Sequence, residues 1–496
     1  MSRWGASSEV GVVIFGFATA CSGLATTCFG RHRGGAAAAL ALVAAVVAVM
    51  AFATRGAAAL NPQGAPARPT LQSPSPGGRP PAAGDSEIKD RLAGGAGLAV
   101  VGERLNRALL RQFYAMHDWR PVWSSHPAQA ARLVAAVMAA GDQGLDPELF
   151  HAALLRDPAA LSPLDRELVL SDAFLRYADA LARGVLPIED RMDDEDLTPG
   201  PVDVAAALDQ AIAAPDPAAV IAALAPHSAE YRALRRALRD YRRVGEGRWA
   251  AARRRAIEVN LERLRWLPRP LPPDRLWVNT ASARLVLYRD NVPAFTARVI
   301  VGQRNKQTPE FAAAIDSVLF NPPWNIPPSI AAEEILPKLS EDPDYLAEHY
   351  MVWRRPGALQ QIAGPHSALG RLKFEMTDRF DVYLHDTPER FLFARRDRRR
   401  SHGCVRVEDP RALAALLLDA PVTEIDTEIA EGATRRRYLK RPIPVFIVYQ
   451  TAVAEPDGRI AFYPDVYDRD QEIWQHLHPA EEEPIAEHGP AMQRGG

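Results

Sequence analysis

Apolar side chains recur every three to four residues across the first half of the chain, which is the spacing of an amphipathic helix. Leu105, Leu109 and Phe113 lie four residues apart, and a second stripe of the same kind runs through 231–241. Pro and Asp precede some of these stripes, as they do at helix starts. The pattern therefore predicts an all-helical domain over 87–255.

Beyond this domain the pattern changes to alternating apolar and polar residues, which is typical of β-strands. Residues 275–279, 283–290 and 295–302 are rich in Val and Leu and are separated by short turn-like segments, so they predict an antiparallel meander. A further strand is predicted at 381–386. The segment 326–365 has little strand character and is predicted to be a helical insertion.

Together these patterns predict an α+β protein in which an all-helical domain precedes a mainly β domain. The mainly β domain is predicted over 256–455, with the insertion at about 326–365, and a C-terminal tail of 456–496 is expected to complete it. The stretch 61–86 is rich in Pro, Gly and Ala and is predicted to be a semi-extended linker. It follows a signal or membrane-anchor region at 1–60.

The N-terminal region holds two apolar stretches. Residues 34–54 form an uncharged run of 21 residues, long enough to cross a bilayer as a helix. Arg31 and Arg33 precede this run and favour export of the chain that follows. Small residues at 56–60 also suit a signal-peptidase site, so a membrane anchor and a cleaved signal both remain open. The earlier stretch, 10–30, is interpreted as an extension from an upstream start rather than a second span.

Composition narrows the classes of function. The chain has 496 residues and a formal net charge of -2, from 59 Lys and Arg against 61 Asp and Glu. This balance argues against a general nucleic-acid binder. Cys21 and Cys28 lie in the apolar N-terminal region, which leaves Cys404 without a partner for an intrachain disulfide. Cys404 is therefore either a buried apolar side chain or a nucleophile.

Two charged runs are interpreted as solvated surface. The arginine-rich run 235–255 is predicted to be a solvated helix face, with attraction to a polyanionic polymer as the functional alternative. The acidic run 193–196 is predicted to be a solvated loop rather than a metal site, because no histidine accompanies it.

The string SHGCVRV at 401–407 places the cysteine near groups that can activate it. A thiol attacks as thiolate, and its ordinary pKa of about 8.5 requires a base nearby. His402 is two residues away, whereas His385 ends the predicted strand 381–386, 19 residues upstream. If that strand and the segment around Cys404 are neighbours in one sheet, the imidazole of His385 reaches the sulfur across the ladder. His385 is therefore the predicted base.

Two neighbours of Cys404 suit the charges of an acyl transfer. Gly403 allows a tight backbone path on which its own N–H and that of Cys404 point at one oxyanion. Arg406 shares the strand face of Cys404 and can bind a carboxylate through two hydrogen bonds. Asp409 and Pro410 then begin a predicted helix, as N-cap and first residue.

These residues resemble the catalytic signature of the L,D-transpeptidases, whose catalytic unit is called the YkuD domain. The nucleophile string and the upstream histidine occur at the spacing that the family uses, and Phe393 and Arg398 between them also match. The resemblance extends to the large periplasmic branch of the family and to its helical scaffold domain, and it covers nearly everything from 100 to 475. The matching segments are HDTP (385–388), SHGCVRV (401–407), NLERLRWLP (260–268), VGQRNKQTPEF (301–311), NPPWNIPPSIAAEEILPK (321–338), PHSALGRLKF (365–374), FYAMHDWRPVW (113–123) and QGLDPELF (143–150).

The resemblance implies a periplasmic cysteine acyltransferase that acts on peptidoglycan stem peptides without a metal or an organic cofactor. Cys404 would attack the carbonyl of the diaminopimelate at position three of a tetrapeptide stem and release the terminal D-alanine. An amine of a neighbouring stem would then resolve the thioester to a 3→3 cross-link. His385 would move the protons, and a backbone carbonyl near Asp386 would orient its ring.

Further site residues follow from the same resemblance. Ser401 and His402 would shape the nucleophile turn, and Arg406 and Arg398 would order the site or bind stem carboxylates. The insertion at 326–365 matches the family's capping subdomain, a lid that would exclude water and favour the amine acceptor.

The resemblance leaves alternatives open. The large branch usually carries a small peptidoglycan-binding module between its two domains, and no room for that module remains after 241–249. Wall affinity must then come from the catalytic domain, the scaffold domain or the arginine-rich face. Resolution of the thioester by water, or by the amine of a wall-anchored protein, would give an L,D-carboxypeptidase or a protein-attachment enzyme. A chain without catalysis would be a wall-binding scaffold protein.

Overall fold

The computed structural model describes residues 83–94, 97–245 and 247–479. The predicted signal or anchor region at 1–60 lies outside these ranges, as does most of the predicted linker. Among the described residues, no helix combines the length and the apolar character that a membrane span needs.

The predicted α+β architecture is confirmed, and its helical part ends at Arg265. Side-chain caps begin several of the helices. Ser162, Asp203 and Ser228 each accept a hydrogen bond from the backbone N–H three residues further on. The α-helices are α1 (Ala83–Ala93), α2 (Arg107–Met116), α3 (Pro127–Met138), α4 (Ala152–Arg156), α5 (Pro163–Arg183), α6 (Val204–Ala213), α7 (Pro217–Ala222), α8 (Ala229–Arg243) and α9 (Arg248–Arg265), and a hairpin of β1 (Ala99–Val100) and β2 (Glu103–Arg104) follows α1.

Helix α5 forms the centre of the helical domain. Most of its residues are buried, as expected of a helix that is packed on all sides. One of them is Glu167, whose carboxylate accepts hydrogen bonds from the N–H of Val122 at 2.6 Å and from the hydroxyl of Tyr114 at 2.9 Å. These bonds hold α2 and the loop after it against α5.

The arginine-rich run 235–255 lies on α8 and α9, as predicted for a helix face. Several of its side chains nevertheless have partners. Arg242 forms an ion pair with Glu258 at 2.9 Å, and the guanidinium of Arg253 lies 4.1 Å from the centroid of the Phe462 ring. The face is thus partly structural as well as solvated.

One nine-stranded sheet carries the mainly β domain. The antiparallel meander predicted from 275–279 onward is confirmed as β3, β4 and β5, whereas the strand predicted at 381–386 is reduced to two residues. The strands are β3 (Arg275–Asn279), β4 (Arg284–Arg289), β5 (Val292–Gly302), β6 (Phe311–Phe320), β7 (Trp324–Asn325), β8 (Met351–Arg355), β9 (Ala358–Gln361), β10 (Leu372–Met376), β11 (Leu384–His385), β12 (Arg399–Ser401), β13 (Val405–Val407), β14 (Arg435–Val448), β15 (Ala452–Ala454) and β16 (Ile460–Phe462).

The large sheet closes on itself. Its strand order is β12-β5-β13-β11-β10-β6-β14-β3-β4, and β4 also pairs with β5. Its apolar side chains form a core that helices at 410–418 and 422–430 cover. The first of these helices begins as predicted, with Pro410 at its first position and the Asp409 carboxylate accepting from the N–H of Ala412 at 3.1 Å.

The insertion predicted at about 326–365 is a small subdomain with its own core. The helical part was predicted, but the sheet of β7, β9 and β8 was not. Ile326, Ile335 and Leu359 are buried together in this core. The helices of the second half of the chain are α10 (Pro328–Ile330), a π-helical turn (Ala331–Ile335), α11 (Leu336–Glu341), α12 (Tyr345–Glu348), α13 (Pro410–Leu418), α14 (Val422–Ala430) and α15 (Asp470–Leu477).

The tail 456–496 was expected to complete the mainly β domain. Its described part, residues 456–479, is called the C-terminal segment, and it contacts both domains. Ile473 and Leu477 of α15 pack in the core of the helical domain. On the other side, the hydroxyl of Tyr467 donates to the carbonyl of Gly302 at 2.6 Å. The segment therefore stabilises the contact between the domains.

The acidic run 193–196 is not a solvated loop, and this prediction was wrong. Glu195 is only 3% exposed and forms a β-bridge with Glu310. The buried guanidinium of Arg469 lies 3.1 Å from the carboxylate of Glu310 and also pairs with Asp194. The sequence pattern gave no sign of this arrangement, because the compensating arginine lies far away along the chain.

Candidate active site

Two neighbouring strands bring the predicted nucleophile and the predicted base to one face of the sheet. β11 and β13 are parallel, with Leu384 opposite Val405 and His385 opposite Arg406. Leu384 and Val405 are fully buried in the sheet core. Because successive side chains of a strand alternate, His385 and Arg406 project from the other face. Cys404, directly before Val405, shares that face and lies diagonally across the ladder from His385, a separation that long side chains bridge.

Tyr383 lies directly opposite the cysteine. Its hydroxyl is a hydrogen-bond partner of the Cys404 thiol, and the Nζ atom of Lys373 lies 4.1 Å from the centroid of its ring. Burial raises the pKa of the Tyr383 hydroxyl well above its ordinary value, so the hydroxyl stays protonated and can donate. Burial likewise raises the pKa of the Cys404 thiol. The nucleophile is therefore a neutral thiol at rest.

His385 is buried and held in one tautomer. Its Nδ1 lies 2.5 Å from the carbonyl oxygen of Asp386. A carbonyl only accepts, so Nδ1 carries the hydrogen, and in the neutral ring Nε2 is the unprotonated nitrogen. The backbone of Leu369 is a second hydrogen-bond partner of this ring. Burial, with the charge of Arg406 adding to it, lowers the pKa of His385 to about 3. Asp386 thus acts through its backbone, as the resemblance implied.

The side chain of Ser401 holds the turn that carries the cysteine. Gly403 adopts a φ of +116°, a conformation open to glycine. Its N–H donates to Ser401 Oγ at 3.2 Å, and Ser401 Oγ donates to the carbonyl of Cys404 at 2.6 Å. The N–H of Gly403 was expected to face an oxyanion, but it is engaged inside the turn. The contribution of Gly403 is therefore conformational.

Arg398 was predicted either to order the site or to bind stem carboxylates, and its contacts agree with the first role. Its Nε donates to the carbonyl of Val299 at 3.2 Å, and its Nη2 donates to the carbonyls of Ser282 and Ala283, each at 3.2 Å. The guanidinium is thus occupied by backbone acceptors of the meander. Only the tertiary pairing of β4 and β5 brings these carbonyls together.

Arg406 does face the site. It stands beside His385 in the register of the two strands and forms an ion pair with Glu389. The Nε atom of Arg406 is buried and has no hydrogen-bond partner among the described residues. One donor of this guanidinium can therefore bind an acceptor that the described part of the chain does not supply.

A surface cleft of about 340 Å³ opens next to Asp386. The carboxylate of Asp386 accepts from the N–H of Arg371 at 2.8 Å and pairs with Arg390 at 2.9 Å. The residues around the cleft are Pro365, Gly370, Arg371, Asp386, Thr387, Pro388, Arg390 and Ile429. Cys404 is not among the residues that line this cleft.

Comparison with known proteins assigns this geometry to a family. Residues 273–434 match the model of the L,D-transpeptidase catalytic domain, and residues 108–238 match the model of the scaffold domain. The chain therefore contains an L,D-transpeptidase catalytic domain, preceded by a scaffold domain. A Haemophilus influenzae protein, provisionally named an L,D-transpeptidase, is 38% identical over 240 residues, which are 44% of this chain and 48% of that protein. The chain thus spans about half the length of this relative.

Two solved structures have distant similarity to the chain. The carbamoyl enzyme that Ldtfm forms with avibactam is 12% identical, with a TM-score of 0.20 over 36% of this chain and 49% of that one. A cysteine-to-serine mutant of the Enterococcus faecium L,D-transpeptidase is 11% identical, with a TM-score of 0.19 over 40% of this chain and 62% of that one. At these TM-scores neither superposition adds to the family assignment.

In this L,D-transpeptidase domain, His402 contacts the insertion. Its Nε2 forms a hydrogen bond with the carboxylate of Glu334, in the π-helical turn of the insertion. Lys306 lies 2.7 Å from Glu333 and 3.5 Å from Glu334. The nucleophile string is thereby tied directly to the predicted capping subdomain.

Tyr383 and Lys373 are site residues of the L,D-transpeptidase domain that the sequence reasoning missed. Tyr383 could have been found, because it lies two residues before His385 and a strand alternates with a period of two. Lys373 lies opposite His385 on β10, and that register follows from strand pairing alone. The local sequence around Lys373 carries no comparable signal.

Proposed function

We propose that this chain is a peptidoglycan L,D-transpeptidase that forms 3→3 cross-links through a thioester on Cys404. One observation carries the proposal: within a catalytic domain of this family, a neutral His385, with Nδ1 bonded to the carbonyl of Asp386, lies on the sheet face that Cys404 shares. A base in this state can take the thiol proton when a substrate carbonyl arrives.

The first step is acylation. The sulfur of Cys404 attacks the carbonyl carbon of diaminopimelate at position three of a tetrapeptide stem, and His385 Nε2 takes the thiol proton. The C–S bond forms, the C–N bond to the terminal D-alanine breaks, and the proton passes from His385 to the leaving amine. D-alanine leaves with its amine neutral, and the enzyme is a thioester.

The second step is aminolysis. The side-chain amine of diaminopimelate in a neighbouring stem attacks the thioester carbonyl and gives a proton to His385 Nε2. The C–N bond of the cross-link forms as the C–S bond breaks, and the proton returns to the sulfur of Cys404. Neither step needs an electron acceptor, a metal or an organic cofactor.

Charge on the tetrahedral intermediates needs donors near the sulfur. The N–H of Cys404 and the hydroxyl of Tyr383 are suited to this, since Tyr383 stays protonated and already bonds the thiol. Such donors each lower the barrier by about 3 kcal/mol. Lys373 and the Nε of Arg406 are suited to the carboxylates of the stem.

The closest alternative is an L,D-carboxypeptidase, in which water resolves the same thioester. The contact of the insertion with the nucleophile string favours aminolysis, because a cap over the acyl-enzyme excludes water. Attachment of a wall protein would use the same thioester with another amine.

Mass spectrometry of products from purified disaccharide-tetrapeptide distinguishes these reactions. The proposal predicts a cross-linked dimer and one D-alanine released per link, with neither product from the Cys404→Ala variant. Free tripeptide without dimer would replace the transpeptidase with a carboxypeptidase. No turnover by the wild type, under conditions in which the chain is folded, would leave only a wall-binding role.

The proposed substrate lies outside the cytoplasm, so we propose a periplasmic location for the folded domains. The apolar run at 34–54, with arginines before it, supports export of the rest of the chain. Fractionation with protease protection tests this. Digestion of the folded domains in intact spheroplasts is expected, and full protection would contradict it.

A further inference from the structure

The turn that carries Cys404, residues 401–404, contacts a loop that has no role in the mechanism proposed above. This loop follows β5 and contains Thr308, which is completely buried. The hydroxyl of Thr308 accepts a hydrogen bond from the N–H of Gly302 at 2.9 Å and donates one to the carbonyl of Gly403 at 2.8 Å. One side chain therefore connects the end of β5 with the turn that carries the cysteine.

The carbonyl of Gly403 belongs to the peptide unit whose other end is the N–H of Cys404. A trans peptide is planar, and its C=O and N–H point in opposite directions. A hydroxyl that fixes the direction of the Gly403 carbonyl therefore also fixes the direction of the Cys404 N–H. Glycine at 403 would otherwise leave this peptide unit free to rotate, because it tolerates a wide range of backbone angles.

We propose that Thr308 is a positioning residue, which aims the N–H of Cys404 at the oxygen that becomes negatively charged during acyl transfer. The inference rests on the proposed reaction at Cys404 and adds a residue to it. Thr308 touches no substrate and acts through the peptide unit between Gly403 and Cys404.

The loop around Thr308 is itself held tightly, as such a role requires. A Cβ atom added at Gly302 would lie 2.2 Å from the carbonyl oxygen of Lys306, so the chain can approach this closely only with glycine. From behind, Arg469 Nε donates to Gln307 Oε1 at 3.0 Å. The C-terminal segment thus contacts the loop that presents the threonine.

Two reactions of the same sulfur separate positioning from a general structural role. Acylation by a tetrapeptide stem passes through an oxyanion, whereas alkylation by iodoacetamide is a direct displacement that forms none. Loss of an oxyanion donor costs about 100-fold or more in rate. A misdirected Cys404 N–H would therefore slow acylation alone, while a disordered turn would change both reactions.

The experiment compares Thr308→Val and Thr308→Ser in the full chain. Single-turnover release of D-alanine measures acylation, and intact mass measures alkylation of Cys404. The proposal predicts that Thr308→Val lowers the acylation rate constant about 100-fold with KM nearly unchanged, and alters alkylation by less than about threefold. Thr308→Ser keeps the hydroxyl and is expected to restore acylation to within about fivefold of wild type.

Thr280→Val is the matched control, since Thr280 is also buried and its hydroxyl also donates to a backbone carbonyl, that of Val448 at 3.1 Å. It is expected to change neither rate constant of Cys404. Equal losses in acylation and alkylation, or normal acylation in Thr308→Val, would overturn the proposal. If Thr308→Val does not fold, Thr308→Ser still decides, because a loss of more than tenfold in its acylation would also overturn it. Absence of acylation in the wild type would instead contradict the proposed function.

Discussion

At the scale of single residues, the thiol of Cys404 and the imidazole of His385 are both uncharged at rest. Burial raises the pKa of the thiol and lowers that of the imidazole to about 3. A thiolate–imidazolium pair is therefore unfavourable until a substrate carbonyl takes up the charge of the sulfur. Reactivity toward small electrophiles and reactivity toward substrate are thus separate properties of this cysteine.

The raised thiol pKa predicts slow alkylation. We expect Cys404 to react with iodoacetamide at pH 7 more slowly than free cysteine does, and to react faster as pH rises through 9, because only the thiolate attacks. Intact-mass kinetics against free cysteine measure this. A rate above that of free cysteine at pH 7 would mean that the thiol is ionised at rest.

The low pKa of His385 predicts how the acylation rate depends on pH below neutrality. The imidazole stays neutral down to about pH 3. Its protonation should therefore not lower the acylation rate between pH 8 and pH 5. Release of D-alanine at saturating stem peptide measures this on enzyme shown to remain folded. A fall to half the rate near pH 6.5 would contradict the lowered pKa.

The buried carboxyl of Glu195 predicts a pH-dependent stability. Burial raises its pKa from 4.5 to about 8, and the charge of Glu310 adds to the shift, while Arg263 and Arg469 oppose it. Between these pH values the folded state holds a proton that the unfolded chain has lost. The contribution of this carboxyl to stability therefore falls as pH rises from about 4.5 to about 8.

Glu195→Gln should remove this dependence. We compare the free energy of unfolding of the variant with that of wild type at pH 5 and at pH 8, by denaturant unfolding. The difference should shift in favour of the variant by on the order of 1 to 2 kcal/mol from pH 5 to pH 8. Glu189→Gln, at an exposed position of the same domain, is the control and should gain nothing. An equal gain for Glu195→Gln at both pH values would show that Glu195 does not titrate in this range.

At the scale of elements, the site depends on contacts between segments that are distant in sequence. Arg398 illustrates this, because its guanidinium is bound by carbonyls of Val299, Ser282 and Ala283. It serves to join β12 to the meander next to the nucleophile turn. Arg398 therefore belongs to the family's signature because it stabilises the structure around the nucleophile turn.

Arg398→Met should therefore affect stability before catalysis. Loss of these three backbone hydrogen bonds is expected to cost about 1 to 3 kcal/mol in the free energy of unfolding, with KM within about twofold of wild type. Arg400→Met, at an exposed neighbouring position, should cost far less. A tenfold rise in KM without loss of stability would restore the substrate-binding interpretation.

The contact between His402 and Glu334 joins the nucleophile string to the insertion. Glu334→Gln weakens this charged hydrogen bond and should admit more water to the acyl-enzyme, which raises the ratio of free tripeptide to dimer severalfold. Product ratios from mass spectrometry measure this. Glu341→Gln, exposed in the same insertion, is the control. An unchanged ratio would show that this contact does not control water access.

At the scale of the whole molecule, periodicity predicted the order of the domains but not the contacts that join them. Local patterns sufficed for the meander and for the helix that Asp409 caps, because both depend on neighbouring residues. The acidic run at 193–196 was misread, since its partner Arg469 lies in the C-terminal segment.

The active site likewise combines residues that a local sequence pattern indicates with residues whose roles depend on distant contacts. Cys404 and His385 carry a recognisable spacing, so the sequence indicated both of them. The role of Thr308 depends on a hydrogen bond to Gly403 across 95 residues, and the position of Lys373 depends on the register of β10 with β11. Neither relation leaves a periodic or compositional trace in the chain.

The central claim is that Cys404 forms a covalent acyl-enzyme with His385 as its base. Intact-mass analysis of the full chain, quenched after mixing with tetrapeptide stem, tests it most directly. The expected product is an adduct of the stem less D-alanine, located on Cys404 by peptide mapping. The adduct should be absent in Cys404→Ala, at nearly unchanged thermal stability, and should form about 100- to 10,000-fold more slowly in His385→Ala. An adduct on another residue, or acylation at the wild-type rate in His385→Ala, would contradict the claim.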